Sequence, residues 1–109
     1  MTNEDFDKLL DRRLEKTREV LGKKGEEYAS DVDRLHNFKA AGRMDGESPE
    51  KALWGMLKKH LVSVMDMANG ITSPIKCTDE YIDEKIGDTI NYFILLEARL
   101  KERNLEYRR

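Results

Sequence analysis

The stretch SPEKALWGMLKKHLVSVMDMANG, Ser48 to Gly70, decides the fold class of this 109-residue chain. Ser48 is a good helix N-cap. Pro49 suits the first helical position, where its missing N–H is no loss, and Glu50 suits the positive end of the helix dipole. Leu53, Leu57, Leu61, Val64 and Ala68 recur at spacings of three and four and form one apolar stripe. Asn69-Gly70 supplies the stop. Start, stripe and stop together predict a helix, and the same grammar recurs on both sides.

Upstream, Thr2 or Asn3 caps a first helix with Glu4 and Asp5 in its first turn. Phe6, Leu9, Leu10, Leu14, Thr17, Leu21 and Tyr28 make its apolar stripe. Gly22 and Gly25 each weaken a helix by up to about 1 kcal/mol relative to alanine, so it loosens or bends there. A shorter helix is expected from Asp33 to Arg43, with Leu35, Phe38 and Ala41 inward and a turn at Asp45-Gly46-Glu47. Downstream, Ile71 to Cys77 form a connection around Ser73-Pro74, and Thr78 caps a last helix that opens on Asp79, Glu80 and Asp83. Ile82, Ile86, Ile90, Phe93 and Leu100 lie on one side of it, and the charged segment Lys101 to Arg109 is expected to fray into solvent. The whole reads as one all-α domain over residues 1–109, with a core over about 3–100: an antiparallel bundle of about four helices. Tyr92, Ile94, Leu95 and Leu96 clothe the last helix almost all round, more than one partner helix covers. A homo-oligomer is therefore expected, most simply a dimer.

Composition excludes several classes. Charged residues make up 39% and aromatics 7%, which suits helices with solvated outer faces. With a net charge of −2 and both signs interleaved, generic binding to a nucleic-acid backbone is not favoured. Cys77 is the lone cysteine, so no intrachain disulfide or cysteine zinc set can form. Met1 to Asp5 are polar and acidic, unlike a signal peptide, and no apolar run approaches the ~20 residues of a membrane span. No membrane association and a cytoplasmic location are expected.

The informative residues are polar ones in apolar surroundings. Glu84, Asp88 and Asn91 share one stripe of the last helix, and a carboxylate there needs a partner: a cation, a hydrogen-bond network or a metal ion. His60 falls on the stripe of Leu53, Leu57 and Val64, with Lys59 beside it. A lone histidine on such a face is either a satisfied core residue or a functional group. Glu26 and Glu27 follow Lys23-Lys24. They either pair with those lysines in solvent or meet Glu84 and Asp88 across the bundle, where converging carboxylates suit Mg²⁺. Arg43, Lys59 and His60 are then placed to neutralise phosphate charge.

Several elements in order resemble a known group. Lys24-Gly25-Glu26-Glu27-Tyr28-Ala29, His36-Asn37-Phe38, Lys59-His60 with Ser63, and Asp88 followed by Asn91-Tyr92 are similar to small phage and prophage proteins. Those look like the nucleotide-modification-associated domain and, more distantly, the MazG-like all-α nucleoside triphosphate pyrophosphatases. The resemblance implies an oligomeric helical fold, a link to nucleotides, and Mg²⁺ held by a double-glutamate motif that Glu26 and Glu27 match. Glu84 and Asp88, spaced by four where the family's later motif is spaced by three, would complete the Mg²⁺ set if the chain is such an enzyme, acting on a nucleotide or other phosphorylated small molecule. Glu27 and Asp88 would be catalytic, while Arg43, Lys59, His60, Asn91 and Tyr92 would bind substrate. Ser30 stands where the third glutamate of the MazG-like motif belongs. Glu80-Tyr81-Ile82-Asp83 repeats the later Glu-x-x-Asp motif at a helix start. Three functions stand open on this reading: a Mg²⁺-dependent pyrophosphatase, a non-catalytic nucleotide-sequestering protein, and a helical assembly module.

Overall fold

The computed structural model describes residues 1–24 and 33–108. Among them are four α-helices, α1 (Asn3–Glu19), α2 (His36–Asp45), α3 (Pro49–Ala68) and α4 (Asp79–Tyr107), and no strand. No helix among the described residues is long and apolar enough to cross a membrane.

Three starts follow the cap chemistry legible in the sequence. The backbone N–H groups of Asp5, Lys51 and Tyr81 donate to the hydroxyls of Thr2, Ser48 and Thr78 at 3.0, 3.2 and 3.2 Å. The fourth differs: α2 begins at His36, because Asp33 stays outside the helix and its carboxylate accepts from the Leu35 N–H at 3.0 Å. α3 stops in a Schellman motif. Gly70 takes φ +70°, the Ile71 N–H donates to the Asp66 carbonyl at 2.8 Å, and the Gly70 N–H donates to Met67 at 3.1 Å. α1 gives way over Val20–Lys24 to a kinked turn in which Gly22 leaves helical backbone (φ −80°, ψ −106°). The Arg34 guanidinium donates to the Leu21 and Gly22 carbonyls there, at 2.9 and 3.0 Å, and so supplies donors to an opened helix end. Gly25 and Tyr28 lie outside the described residues.

The core lies where α3 meets α2 and α4. Leu53 and Leu57 are wholly buried, with Leu35 and Ala52 beside them. α3 and α4 run antiparallel: Glu50 at the start of α3 meets Arg99 late in α4, while His60 faces Asp88 halfway along each.

Three expectations change. First, α1 contains no buried residue, and Phe6, Leu9, Leu10 and Leu14 of its apolar stripe are exposed. One bond ties the helix to α4: Arg13 Nη2 donates to the Asp83 carbonyl at 3.0 Å. Second, α4 turns Thr89 and Arg99 inward, while Ile82, Phe93 and Leu100 on its isoleucine-rich side are exposed. Third, α4 does not fray after Leu100 but runs to Tyr107. Arg99, 6% exposed, gathers Glu50 (2.7 Å), Glu102 (2.6 Å) and Glu106 (2.9 Å), and Lys39 of α2 bonds both Glu102 (3.0 Å) and Asp33 (2.7 Å). A charged segment that looks solvated in one dimension is thus the clamp of three helices.

Candidate functional site

The middle of α4 faces two ways. Towards α3, Asp88 Oδ2 lies 3.7 Å from His60 Nδ1, an ion pair when the imidazole is protonated. The His60 ring stacks on Tyr92 (centroids 5.0 Å apart, planes 25° apart), and Phe38 of α2 meets the other ring edge-on at 6.4 Å. Burial, and then the negative charge of Asp88, push the Tyr92 phenol above its ordinary range, so Tyr92 remains neutral beside the carboxylate. The histidine is therefore a partner of the acid. Of the alternatives open for Asp88, the described residues display a histidine of a neighbouring helix beside it.

Towards α1, Asp88 also lines a cavity of about 370 Å³ together with Glu84, Gly87 and Asn91 of α4. The opposite wall is basic: Arg12, Arg13 and Lys16 of α1, one helical turn, reach Asp83 at 3.8, 3.7 and 3.6 Å. These separations exceed the roughly 2.7–2.9 Å of a charge-assisted hydrogen bond. Three cations share one carboxylate without closing on it, and donor capacity remains for another anion. Gly87 makes the approach possible: a Cβ there would lie 2.5 Å from Arg13 Nη1. Glu19 and Glu80 complete an acid-rich rim.

The sequence-derived candidates distribute unevenly over this geometry. Glu84, Asp88 and Asn91 share the cavity as their spacing predicts. The Asn91 Oδ1 is buried without a hydrogen-bond partner, an acceptor left unused. Glu84 is largely solvent-exposed and lies 3.6 Å from Lys85. His60 and Tyr92 sit behind Asp88 rather than in the cavity, while Lys59 and Arg43 are exposed and line none of it. Glu26 and Glu27 fall outside the described residues. Among the described residues no group of three or more His, Cys, Asp or Glu side chains is arranged to hold a metal ion. The donors present, two carboxylates and an unspent amide oxygen, are nevertheless of the type Mg²⁺ takes, since that ion uses one or two carboxylates with phosphates and waters. The basic wall was missed in the sequence. Arg12, Arg13 and Lys16 at i, i+1 and i+4 read as an ordinary solvated face, and only the approach of α4 distinguishes them.

Among family models, curated proteins and solved structures, none matches this chain.

Proposed function

We propose that the chain is a nucleotide-handling protein of MazG-like type, a Mg²⁺-dependent nucleoside triphosphate pyrophosphohydrolase whose site is the cavity between α1 and α4. One observation carries the reading: the acids of α4 that the sequence singled out, Glu84 and Asp88, face three incompletely engaged cations across a cavity large enough for a phosphate chain. A cavity lined by one sign of charge would take a simple ion. Opposed acidic and basic walls suit a metal–phosphate pair, which presents both signs.

In this reading Glu84 and Asp88, with Glu26 and Glu27 from the segment after α1, hold the ion. Mg²⁺, when bound, polarises the phosphoryl oxygens and orients water. Arg12, Arg13 and Lys16 take phosphate oxygens, and Asn91 offers its unpaired amide oxygen to a hydroxyl or a bound water. His60 holds the Asp88 carboxylate in place from behind. Hydrolysis joins a water oxygen to the α-phosphorus and breaks the bond to the α–β bridging oxygen. Pyrophosphate leaves, and Glu27 or Asp88 accepts the proton of the water.

The pairing of Asp88 with His60 favours one competing reading, a non-catalytic nucleotide binder on the same scaffold, because an imidazole 3.7 Å from Asp88 Oδ2 gives that carboxylate a structural partner without any metal or substrate. A single experiment separates the two. The purified protein is incubated with each common ribo- and deoxyribonucleoside triphosphate, with Mg²⁺ or Mn²⁺, and pyrophosphate is measured beside the melting temperature. Turnover that falls at least about 100-fold in Asp88→Ala, with helicity unchanged, supports the enzyme. Nucleotide-dependent stabilisation without pyrophosphate supports the binder. A flat melting temperature and no turnover across the panel would sink both.

A further inference from the structure

Asp83 sits on the seam between two openings along α1 and α4. It lines the cavity of about 370 Å³ that holds Glu84 and Asp88, and also an open groove of about 750 Å³ bounded by Leu9, Ile82, Ile86 and Ile90. Its two carboxylate oxygens divide the basic wall: Oδ1 lies 3.7 Å from Arg13, while Oδ2 lies 3.8 Å from Arg12 and 3.6 Å from Lys16. We propose that Asp83 is a built-in competitor for the phosphate subsite. Its carboxylate stands where a phosphate group binds and has to swing out first, so Asp83 sets how tightly the site holds any phosphate ligand. The proposal rests on the reading of Arg12, Arg13 and Lys16 as phosphate-binding groups.

Three observations carry it. The first is chemical likeness. A carboxylate offers two anionic oxygens to these three cations and closes on none of them. A phosphate group brings a third oxygen and more charge to the same donors. The second is that the wall stays built when the carboxylate leaves. Arg13 Nη2 donates at 3.0 Å to the Asp83 backbone carbonyl, which α4 holds in place whatever the side chain does. Gly87 keeps room for that guanidinium, since a Cβ there would lie 2.5 Å from Arg13 Nη1. The third is that the displaced carboxylate has somewhere to go. The Asp83 side chain is 40% exposed and the groove opens on its other side, so a change of rotamer returns its charge to water. Competition of this kind weakens every phosphate ligand by one factor, the fraction of time the subsite is open. A carboxylate that merely fastened α1 to α4 would act with the opposite sign: removing its charge would loosen the wall and weaken binding.

Calorimetric titration of the full chain with inorganic tripolyphosphate in Mg²⁺ tests the proposal. Asp83→Asn keeps the side-chain shape and the backbone carbonyl and removes the charge. It is expected to lower the Kd about 10-fold, the change for a subsite open about a tenth of the time in the wild type. Glu80→Gln removes the same charge from an acid that also lines the cavity. It is expected to tighten binding by less than about 3-fold, because only the general field changes. Equal tightening in the two variants overturns the proposal, since no displacement is then needed to explain it. An unchanged or higher Kd in Asp83→Asn overturns it as well, and faster proteolysis within α1 would then identify Asp83 as a fastening of that helix. Failure of the enzyme reading is distinguishable. Tighter tripolyphosphate binding by Asp83→Asn, in a protein that turns over no nucleotide, supports the competitor and removes the pyrophosphohydrolase. Nucleotide turnover with an unmoved Kd removes the competitor alone. No binding of tripolyphosphate by either chain removes the subsite and its competitor together.

Discussion

A methyl group added at Gly42 would meet the Glu47 carbonyl oxygen at 2.7 Å and Ser48 backbone atoms at 3.1 Å. Backbone cannot step aside as a side chain can. The Glu47 N–H also donates to the Gly42 carbonyl at 2.7 Å, so the chain folds tightly back over the last turn of α2. Gly42→Ala is therefore expected to destabilise the protein by about 1–3 kcal/mol in urea unfolding. Gly87→Ala is the internal control. There the clash is with the far end of the Arg13 side chain, which can move, and alanine is favoured over glycine in a helix by about 0.8–1.0 kcal/mol. The gain roughly offsets the lost Arg13 bond to Asp83, worth about 1 kcal/mol, so global stability should be near wild type while α1 becomes more susceptible to protease. Equal stability losses in the two variants would contradict this account. Neither contact is legible in the sequence, where both glycines sit inside helices.

At the scale of elements, helix starts and stops were the most legible features. Thr2, Ser48 and Thr78 cap as their side-chain chemistry dictates, and Gly46 and Gly70 end helices with positive φ. These are local events within four residues, decided before any tertiary contact. Which face turns inward was not legible for α1 and α4, because an apolar stripe states only that something covers it. The charged end of α4 was misread for a related reason: Arg99 acquires Glu50 from a helix 49 positions away in sequence. That network carries a pH dependence. Lys39 holds Asp33, and Arg99 holds Glu106, below their ordinary values of 3.8 and 4.5. Burial pushes Glu50 up, but its bonds from Arg99, the backbone and Ser48 together bring it below 4.5. Acids with depressed folded-state pKa values bind protons more readily when unfolded. Their stabilisation is thus complete above about pH 4.5 and lost as pH falls through the depressed values. Urea midpoints should fall steeply below about pH 4. Arg99→Ala should cost about 3 kcal/mol at pH 7, at the low end for a broken buried pair because Glu102 and Glu106 remain open to water, and should flatten that acid limb. An unchanged acid limb in Arg99→Ala would remove the network from the explanation.

The molecule as a whole is extended for its length. Its radius of gyration is 16.2 Å against about 13 Å for a compact chain of this size, and its longest dimension is 49 Å. The buried hydrophobic residues, Leu35, Ala52, Leu53 and Leu57, belong to α3 and the entry to α2, and α1 adds none. A fragment of residues 33–109 should consequently still unfold cooperatively by circular dichroism, yet lose nucleotide-dependent stabilisation. A fragment with no cooperative transition would show that α1 belongs to the core. The amino-acid order by itself determined the all-α class, the capped starts, the glycine stops and the grouping of Glu84, Asp88 and Asn91, since each depends on neighbours within about two helical turns. Tertiary structure alone decided that Asp88 meets His60, that Arg12, Arg13 and Lys16 form the opposite wall, and that Arg99 reaches Glu50 of α3 while Lys39 of α2 reaches Glu102. Those pairings join residues tens of positions apart, and helical periodicity carries no information about which helix lies across the gap.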